Sequence, residues 1–381
     1  MKAINASIMR AANRKMLLDA IRRQPISRAE LSDATGLTRA SVTQIIDDLM
    51  ADGLVRETAV VGRNRLGRRN TQLALCPEAR ILFGVHLSRL RCDVGAVDLS
   101  GQVLARESRP LEGCPPEEIL SFAAKVILQM RDALEISDTL IGGAGCCAPG
   151  PLNAAEGVIL NPPNFEIWHN VKVVQRLQAL TGLTLTLDNV ANAHALNEKY
   201  FGVAREANNF VLLRVDEGVG SGTVINGRLF HGARGFAAEY GHVSVDMNGP
   251  LCNCGNRGCL EKYIRIPTIL EGSAYHSWEQ VTLDAGQSPQ ADEIIGRMAE
   301  YLAFAVVNII NSLDVEKVIL AGDLAVNPDR LVSEVNRRVA HRIIFPMQAL
   351  PVLAGSIADP VRLAAMPALN QFFAPDYSPN L

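Results

Sequence analysis

The sequence predicts an α/β protein with an N-terminal winged helix-turn-helix head and a two-lobed body. Near the N-terminus, two short helical patterns are separated by a turn that contains glycine. In the rest of the chain, strand and helix patterns alternate, and the alternation repeats approximately once. The length of 381 residues, 48% of them apolar, is enough for two or three domains with sizeable cores.

The first two helices of the head are predicted from spacing and capping residues. Residues 10–23 carry apolar side chains at helical intervals. Ser27 and Glu30 have the spacing of a capping box, in which each residue satisfies a free backbone N–H of the other. They therefore predict a helix over about 28–35, and Gly36 is expected to end it.

The second helix of the helix-turn-helix is expected to face a ligand. Thr38 is the predicted N-cap, and the helix is predicted to span about 39–50. Polar and basic side chains at the start of such a helix contact base edges and phosphates in the major groove of DNA. The residues in question are Arg39, Ser41, Thr43 and Gln44.

A basic hairpin is predicted to follow as the wing. Residues 61–69 form a glycine-containing loop between two strand patterns, and such a loop can follow phosphates or enter the minor groove. The alternative is a small helical interaction domain with a solvated loop. The arginines expected at the tip of the wing are Arg63, Arg65, Arg68 and Arg69.

Charge is distributed unevenly along the chain. Residues 1–76 contain 13 Lys and Arg against 7 Asp and Glu, a net charge of +6, whereas the remainder carries −9. A small basic head on an acidic body favours contact of the head with a polyanion such as DNA, although surface charge also fluctuates without function. No run of about twenty apolar residues predicts a membrane span.

The body is predicted to consist of two lobes with a cleft between them. We expect the head to cover 1–76 and the body 77–381, with lobes of about 81–188 and 189–381. The last helix either stays with the second lobe or returns to the first. The predicted helices are about 116–135, 171–181, 190–201 and 291–313.

Three cysteines and a histidine have the spacing of a metal site. Cys252, Cys254 and Cys259 lie within eight positions, with glycines between them, and His242 precedes them. Such a Cys3His set suits a closed tetrahedral zinc site. A disulfide or simple buried thiols are the alternatives, but no apolar signal segment begins the sequence, and disulfides rarely persist in a reducing cytosol. The other five cysteines are expected to be small buried residues.

Several motifs of the body resemble those of the ROK family, which comprises repressors, open reading frames and sugar kinases of the actin-like ATPase superfamily. The resemblance covers residues 81 to about 370. With the head attached, the chain is similar to the xylose and N-acetylglucosamine repressor branch of that family. The motifs are Asn161-Pro-Pro-Asn-Phe165, Asp188-Asn-Val-Ala-Asn192, Gly235-Phe-Ala-Ala-Glu-Tyr-Gly-His242 and the segment Cys252–Glu261.

The resemblance implies a sugar pocket. His242 would bind zinc through one ring nitrogen and face the sugar through the other. The alternative for Glu239 and Glu261 is a solvated position on the surface, and the alternative for Asn164 is a structural role in a turn. Gly142, Gly143 and Gly145 would either approach the sugar or form a turn at the end of a strand. The implied sugar-binding residues are Asn164, Asn189, Glu239, His242 and Glu261.

The same resemblance argues against kinase activity. Where the family's kinases carry an aspartate as general base, this chain carries Val190, which cannot accept a proton. The first phosphate loop is replaced by His86–Leu90, and Glu217 stands in the second, where a carboxylate would repel a triphosphate. The adenosine-side glycines become Ala321-Gly-Asp323.

These observations predict a cytoplasmic, sugar-responsive, DNA-binding transcriptional regulator without kinase activity. We expect it to repress carbohydrate-utilisation genes as a homodimer or dimer of dimers on two-fold symmetric operator DNA, because helix-turn-helix dimers read matched half-sites. The alternatives are a sugar kinase with a DNA-binding extension and a repressor controlled by a protein partner.

Overall fold

The computed structural model describes residues 6–58, 71–111, 113–163, 165–344 and 351–374. The chain forms two compact units. The first comprises Met1–Cys147, Pro163–Leu187 and Pro360–Leu381, and the second comprises Ala148–Pro162 and Asp188–Asp359. The head therefore belongs to the first unit, and so does the last helix of the chain.

The α-helices span α1 (Ala6–Arg23), α2 (Arg28–Thr35), α3 (Arg39–Ala51), α4 (Pro116–Ala133), α5 (Val173–Thr181), α6 (Val190–Tyr200), α7 (Glu261–Ile264), α8 (Ile266–Ile269), α9 (Trp278–Leu283), α10 (Pro289–Leu313), α11 (Asp329–Val339) and α12 (Pro360–Phe373). The strands span β1 (Ile26–Ser27), β2 (Val55–Thr58), β3 (Gln72–Leu75), β4 (Ile81–Leu87), β5 (Arg91–Asp98), β6 (Val103–Pro110), β7 (Ile141–Ala148), β8 (Leu152–Asn153), β9 (Val158–Ile159), β10 (Leu185–Asn189), β11 (Phe210–Val215), β12 (Val219–Ile225), β13 (Arg228–Leu229), β14 (Lys317–Gly322) and β15 (Val352–Ala354).

The predicted winged helix-turn-helix is confirmed. The backbone N–H of Ser27 donates to Glu30 Oε2 at 2.8 Å, and Glu30 N–H donates to Ser27 Oγ at 3.3 Å, which completes the capping box of α2. Gly36 ends α2 with a φ of 71°, in the left-handed region that glycine adopts without strain. The apolar sides of α2 and α3 meet, burying Leu31 and Val42, and the three short strands form a sheet in the order β1-β3-β2.

Helix α1 connects the head to the rest of the first unit. It packs on α3 and also on α12. The Arg22 guanidinium lies over the Phe373 ring, 5.2 Å from its centroid. Arg10 of α1 forms an ion pair with Asp48 of α3. The helix-turn-helix formed by α2 and α3 is thus connected through α1 to α12.

The two five-stranded sheets of the body share one topology, which confirms the predicted duplication. In the first unit the order is β10-β7-β4-β5-β6, with β4 antiparallel to β5 and parallel to β7. In the second unit the order is β13-β12-β11-β14-β15, with β11 antiparallel to β12 and parallel to β14. Each sheet therefore begins with a hairpin and then adds parallel strands across helical connections.

Helix α10 supports the sheet of the second unit. Its apolar side buries Leu302, Val306 and Ile309 in one core cluster with Leu213 of β11 and Leu320 of β14. This cluster fixes the strands whose ends carry the second phosphate-loop sequence and Asp323. In the described part of the chain, no helix has the length and apolar character needed to cross a membrane.

The glycines of β7 do not form the turn at the end of a strand that was one of the two arrangements expected for them. They lie inside the strand, and a Cβ on Gly145 would stand 2.2 Å from the backbone oxygen of Ala364 in α12. Gly84 of β4 is equally close to α12, with a Cβ 2.4 Å from the backbone oxygen of Val361. These glycines let the helix backbone approach the sheet, which the sequence did not reveal because α12 lies more than two hundred residues further along the chain.

Candidate functional site

The start of α3 presents the predicted DNA-contacting side chains. Arg39, Thr43 and Gln44 are exposed on the outer side of the helix. Ser41 is half-buried, and its backbone N–H donates to the N-cap hydroxyl of Thr38 at 3.2 Å. Three of the four residues are thus available to a ligand, and the fourth stabilises the first turn. The predicted wing residues Arg65, Arg68 and Arg69 lie outside the described residues.

The Cys3His set converges on one point. The ligand atoms of His242, Cys252, Cys254 and Cys259 all lie within 4.8 Å of one another. Cys252 Sγ is 3.7 Å from His242 Nδ1, and Cys254 Sγ is 3.6 Å from Cys259 Sγ. Tetrahedral coordination with Zn–S bonds of about 2.3 Å places sulfurs about 3.8 Å apart. The donor set and its spacing therefore fit a four-coordinate zinc ion.

Backbone pairing around the cluster brings the ligands together. Val245 N–H donates to Gly258 O at 2.8 Å, and Leu260 N–H donates to Val243 O at 3.0 Å, so the two ligand-bearing segments run side by side. Gly258 has a φ of 62°, and a Cβ there would lie 1.7 Å from the backbone oxygen of Asp246. The position accepts only glycine, as the tight turn predicted between the cysteines requires.

A polar cleft opens in the second unit beside α6. Of the predicted sugar-binding residues, Asn189 and Glu239 line it. Asn189 is the N-cap of α6, and its Oδ1 accepts from Ala191 N–H at 2.8 Å. Asn164 lies outside the described residues. The full lining is Pro151, Leu152, Asp188, Asn189, Asn192, Gly220, Ser221, Gly235, Phe236, Ala237 and Glu239.

Glu239 and Glu261 occupy different positions around this cleft. The Glu239 carboxylate is open to solvent, yet the surrounding protein raises its pKa through desolvation, with His242 opposing the rise and Glu261 adding to it. Glu261 Oε2 accepts from Val219 N–H at 3.1 Å, which attaches the start of α7 to β12. The structure does not include Glu261 or His242 in the cleft lining.

Sequence reasoning missed a histidine–aspartate pair at the cleft. Asp188, buried at the end of β10, has Oδ2 2.9 Å from His231 Nε2 and Oδ1 2.8 Å from Asn192 Nδ2. The hydrogen bond to Asp188 raises the pKa of His231, because it favours the charged imidazole. The only sequence signal was the motif position of Asp188, since His231 lies 43 residues away in the segment after β13.

Carboxylates gather in the second unit at the ends of β11 and β14. Asp323 N–H donates to Asp216 Oδ1 at 3.1 Å, and Asp216 Oδ2 pairs with Arg214 at 2.7 Å. Desolvation, with repulsion from Asp216 and then Glu217, raises the pKa of Asp323 to about 6. Two of these acids, Glu217 and Asp323, stand at positions that the sequence analysis singled out.

Comparisons with known proteins match both parts of the chain. A model of the ROK family matches residues 82–360, and a model of the MarR family matches residues 12–65. The xylose repressor of Bacillus subtilis (strain 168) is 27% identical over 376 residues, which are 96% of this chain and 97% of that protein.

Of two further matches, one is an enzyme and the other is a transcriptional regulator. The glucokinase of Thermotoga maritima is 34% identical over 285 residues, covering 69% of this chain and 88% of the enzyme. The crystal structure of a ROK family transcriptional regulator, a homolog of the E. coli MLC protein, covers 96% of this chain and 97% of its own. It superposes with a TM-score of 0.80 at 24% identity, so the likeness extends over head and body.

Proposed function

Since the chain belongs to the ROK family and carries a MarR-like winged helix, we propose that it is a sugar-responsive, DNA-binding transcriptional repressor of carbohydrate-utilisation genes. The proposal rests on the observation that one chain contains both the exposed start of α3 and a ROK family body with a polar cleft. A relative that matches nearly the whole chain is a xylose repressor. We assign operator binding to residues 1–76 and effector binding to 77–381, and place the protein in the cytoplasm with its DNA.

Operator DNA is the first partner to test. In vitro selection from random-sequence duplexes should yield a two-fold symmetric site, because a homodimer presents two identical helices. Arg39→Ala and Gln44→Ala should relax the selected sequence, each lost bidentate contact being worth roughly 1–3 kcal/mol of discrimination. Gln24→Ala, an exposed change in the head outside α3, is the matched control. Selection of the same site by a chain lacking residues 1–76 would refute the proposal.

The body is proposed to bind its sugar without phosphorylating it. Val190 is the first residue of α6, at the position where a kinase of the family would have its general base. The carboxylates of Asp216, Glu217 and Asp323 disfavour a nucleotide. A coupled assay of ADP release across common hexoses tests this, with a ROK glucokinase as positive control. We expect no sugar-dependent ADP release; turnover near that of the glucokinase would establish the enzyme alternative.

Zinc is proposed as the structural metal of the body. His242 Nδ1 and three thiolates would hold it, and the ion would supply a fixed crosslink between the segments around residues 243 and 258. The remaining nitrogen of His242 would then keep one tautomer. Elemental analysis of freshly purified protein should find one zinc ion per chain.

A further inference from the structure

The buried carboxylate of Asp188 organises the polar groups of the cleft. Its Oδ1 accepts from the backbone N–H of Asn189 at 2.7 Å and from Asn192 Nδ2 at 2.8 Å. Its Oδ2 is held by His231 Nε2 at 2.9 Å. Both oxygens of Asp188 are therefore occupied by protein donors, and the carboxylate is fixed from two sides.

These bonds determine which ends of two amides are free. Because Asn192 Nδ2 donates to Asp188, the Oδ1 of Asn192 remains as an acceptor. Asn189 has the opposite arrangement, since its Oδ1 accepts from Ala191 N–H and its Nδ2 remains as a donor beside Gly150. The orientation of each amide follows from its partners.

The cleft offers more acceptors than donors and carries negative charge. Among the described residues, no side chain donates a hydrogen bond to the Glu239 carboxylate, and the described lining contains no lysine or arginine. The Ser221 hydroxyl is already used, as it donates to Ala238 O and accepts from Tyr240 N–H. Among the side chains of the described lining, the free groups are thus the Glu239 carboxylate and Asn192 Oδ1 as acceptors, and Asn189 Nδ2 as a donor.

We propose that this cleft selects unphosphorylated sugars, and that His231 is a positioning residue which fixes the acceptor of Asn192 through Asp188. The inference rests on the proposed function and narrows its effector. Sugar hydroxyls donate to Glu239 and Asn192 and accept from Asn189. A phosphate group brought to the same wall meets the free Glu239 carboxylate, and the described lining offers it no lysine or arginine, while the charge of Asp188 is paired with His231. Like charges at short range repel strongly where water is partly excluded.

Removal of His231 leaves one oxygen of Asp188 buried and unpaired. The carboxylate then has only the Asn189 and Asn192 donors, and the Asn192 amide loses a rigid anchor. Asn192 Oδ1 is then no longer held in one orientation. A sugar hydroxyl that donates to this oxygen therefore loses that hydrogen bond. The effect on binding passes through Asp188 and Asn192, without contact between His231 and the sugar.

Calorimetric titration of the zinc-loaded full chain tests the choice of effector. The probes are D-xylose, D-glucose, N-acetyl-D-glucosamine and the 6-phosphates of the last two. At least one neutral sugar should bind, and a 6-phosphate should bind at least about tenfold more weakly than its parent. A 6-phosphate that binds as tightly as its parent, or more tightly, overturns this inference and leaves the proposed function intact. Binding of no sugar in either form rejects the proposed function itself.

Variants of His231 test its positioning role. His231→Ala should weaken binding of the neutral sugar about tenfold, the usual scale for an unpaired buried acceptor. His231→Gln, whose amide can still donate to Asp188, should recover most of that loss. His276→Ala, at an exposed histidine outside the cleft, is the matched control and should bind as wild type.

Monodeoxy derivatives of the bound sugar complete the test. One hydroxyl should contribute to binding in wild type and contribute nothing in His231→Ala, because the two changes remove the same interaction. If every derivative loses affinity by the same factor in both proteins, or if His231→Gln binds as poorly as His231→Ala, His231 has no positioning role.

Discussion

Single residues separate this chain from the kinases it resembles. Val190 begins α6 one position after Asn189, whose side chain caps the helix and lines the cleft. Under the proposed function, the sugar side of the site keeps the Asn189 amide, and Val190 cannot act as the general base. Asp216, Glu217 and Asp323 lie beside the strand ends of β11 and β14 and would disfavour a nucleotide. The two proposed differences are independent, because one concerns the sugar and the other the nucleotide.

Restoring the base alone should not restore activity. Val190→Asp returns a carboxylate that can accept a proton, a contribution of roughly 10²–10⁴-fold in enzymes that have the remaining machinery. We expect ADP release in the coupled assay to stay at the wild-type level, since the acids that repel a triphosphate are still present. Rapid sugar-dependent ADP release by this single variant would show that Val190 alone separates the chain from a ROK sugar kinase.

The pKa of Asp323 predicts an unusual pH dependence of stability. Its folded pKa of about 6 lies above the ordinary value of 3.8, so the folded state binds a proton more readily than the unfolded state. The stability it contributes is full below pH 3.8 and is lost as the pH rises through about 6. Asp323→Asn should therefore raise the unfolding temperature clearly more at pH 7.5 than at pH 4.5, where only part of this stability has been lost.

Thermal scans of both proteins at the two pH values measure this. Glu271→Gln is the matched control, at an exposed glutamate in the turn after α8, outside the carboxylate group. A stabilisation of Asp323→Asn that is equal at both pH values would contradict the electrostatic explanation.

At the scale of elements, local motifs were predictable and distant contacts were not. The capping box of α2, the turn at Gly36 and the Cys3His set each lie within a short stretch, so spacing alone identifies them. The pair of Asp188 with His231 depends on the meeting of β10 with the segment after β13, and His231 belongs to no motif. Chain topology, which spacing does not encode, brings such residues together.

The close approach of α12 to the first sheet gives a contrast between two glycines. Gly145→Ala should destabilise the first unit by roughly 1–3 kcal/mol or more, the usual cost of overpacking, because the new methyl would meet the Ala364 backbone. Gly296→Ala, inside α10 with its nearest atom 3.9 Å away, should be stabilising by roughly 0.5–1 kcal/mol. Urea unfolding measures whether each substitution lowers or raises the free energy of unfolding. The same change in both variants would contradict the packing explanation.

The segment that carries the proposed zinc ligands, residues 242–259, is an element whose stability should depend on the metal. Cys254→Ser should lower the zinc content and the unfolding temperature, because the metal contributes its binding free energy to folding. Cys114→Ser changes a thiol outside the cluster and is the matched control. Elemental analysis and thermal scans on both variants decide the point, and a zinc content unaffected by Cys254→Ser would remove that residue from the site.

At the scale of the whole molecule, sugar and DNA binding should be linked. If a sugar changes operator affinity by some factor, operator DNA must change sugar affinity by the same factor. Glu239→Ala should keep operator binding, since the DNA-contacting residues lie in the head, and should lose the response to the sugar. Gel-shift titrations with and without sugar measure both. A variant that responds at the same sugar concentration as wild type would remove Glu239 from the effector site.

Because α12 completes the first unit, the order of synthesis matters for this protein. The head leaves the ribosome before the body, yet Arg22 of α1 packs against Phe373, which lies far along the chain in α12. Until residues 360–373 have been made, the sheet around Gly84 and Gly145 has a groove with nothing in it, and α1 lacks one of its supports. The head is thus translated before the body, but α1 reaches its final packing only after α12 has been made.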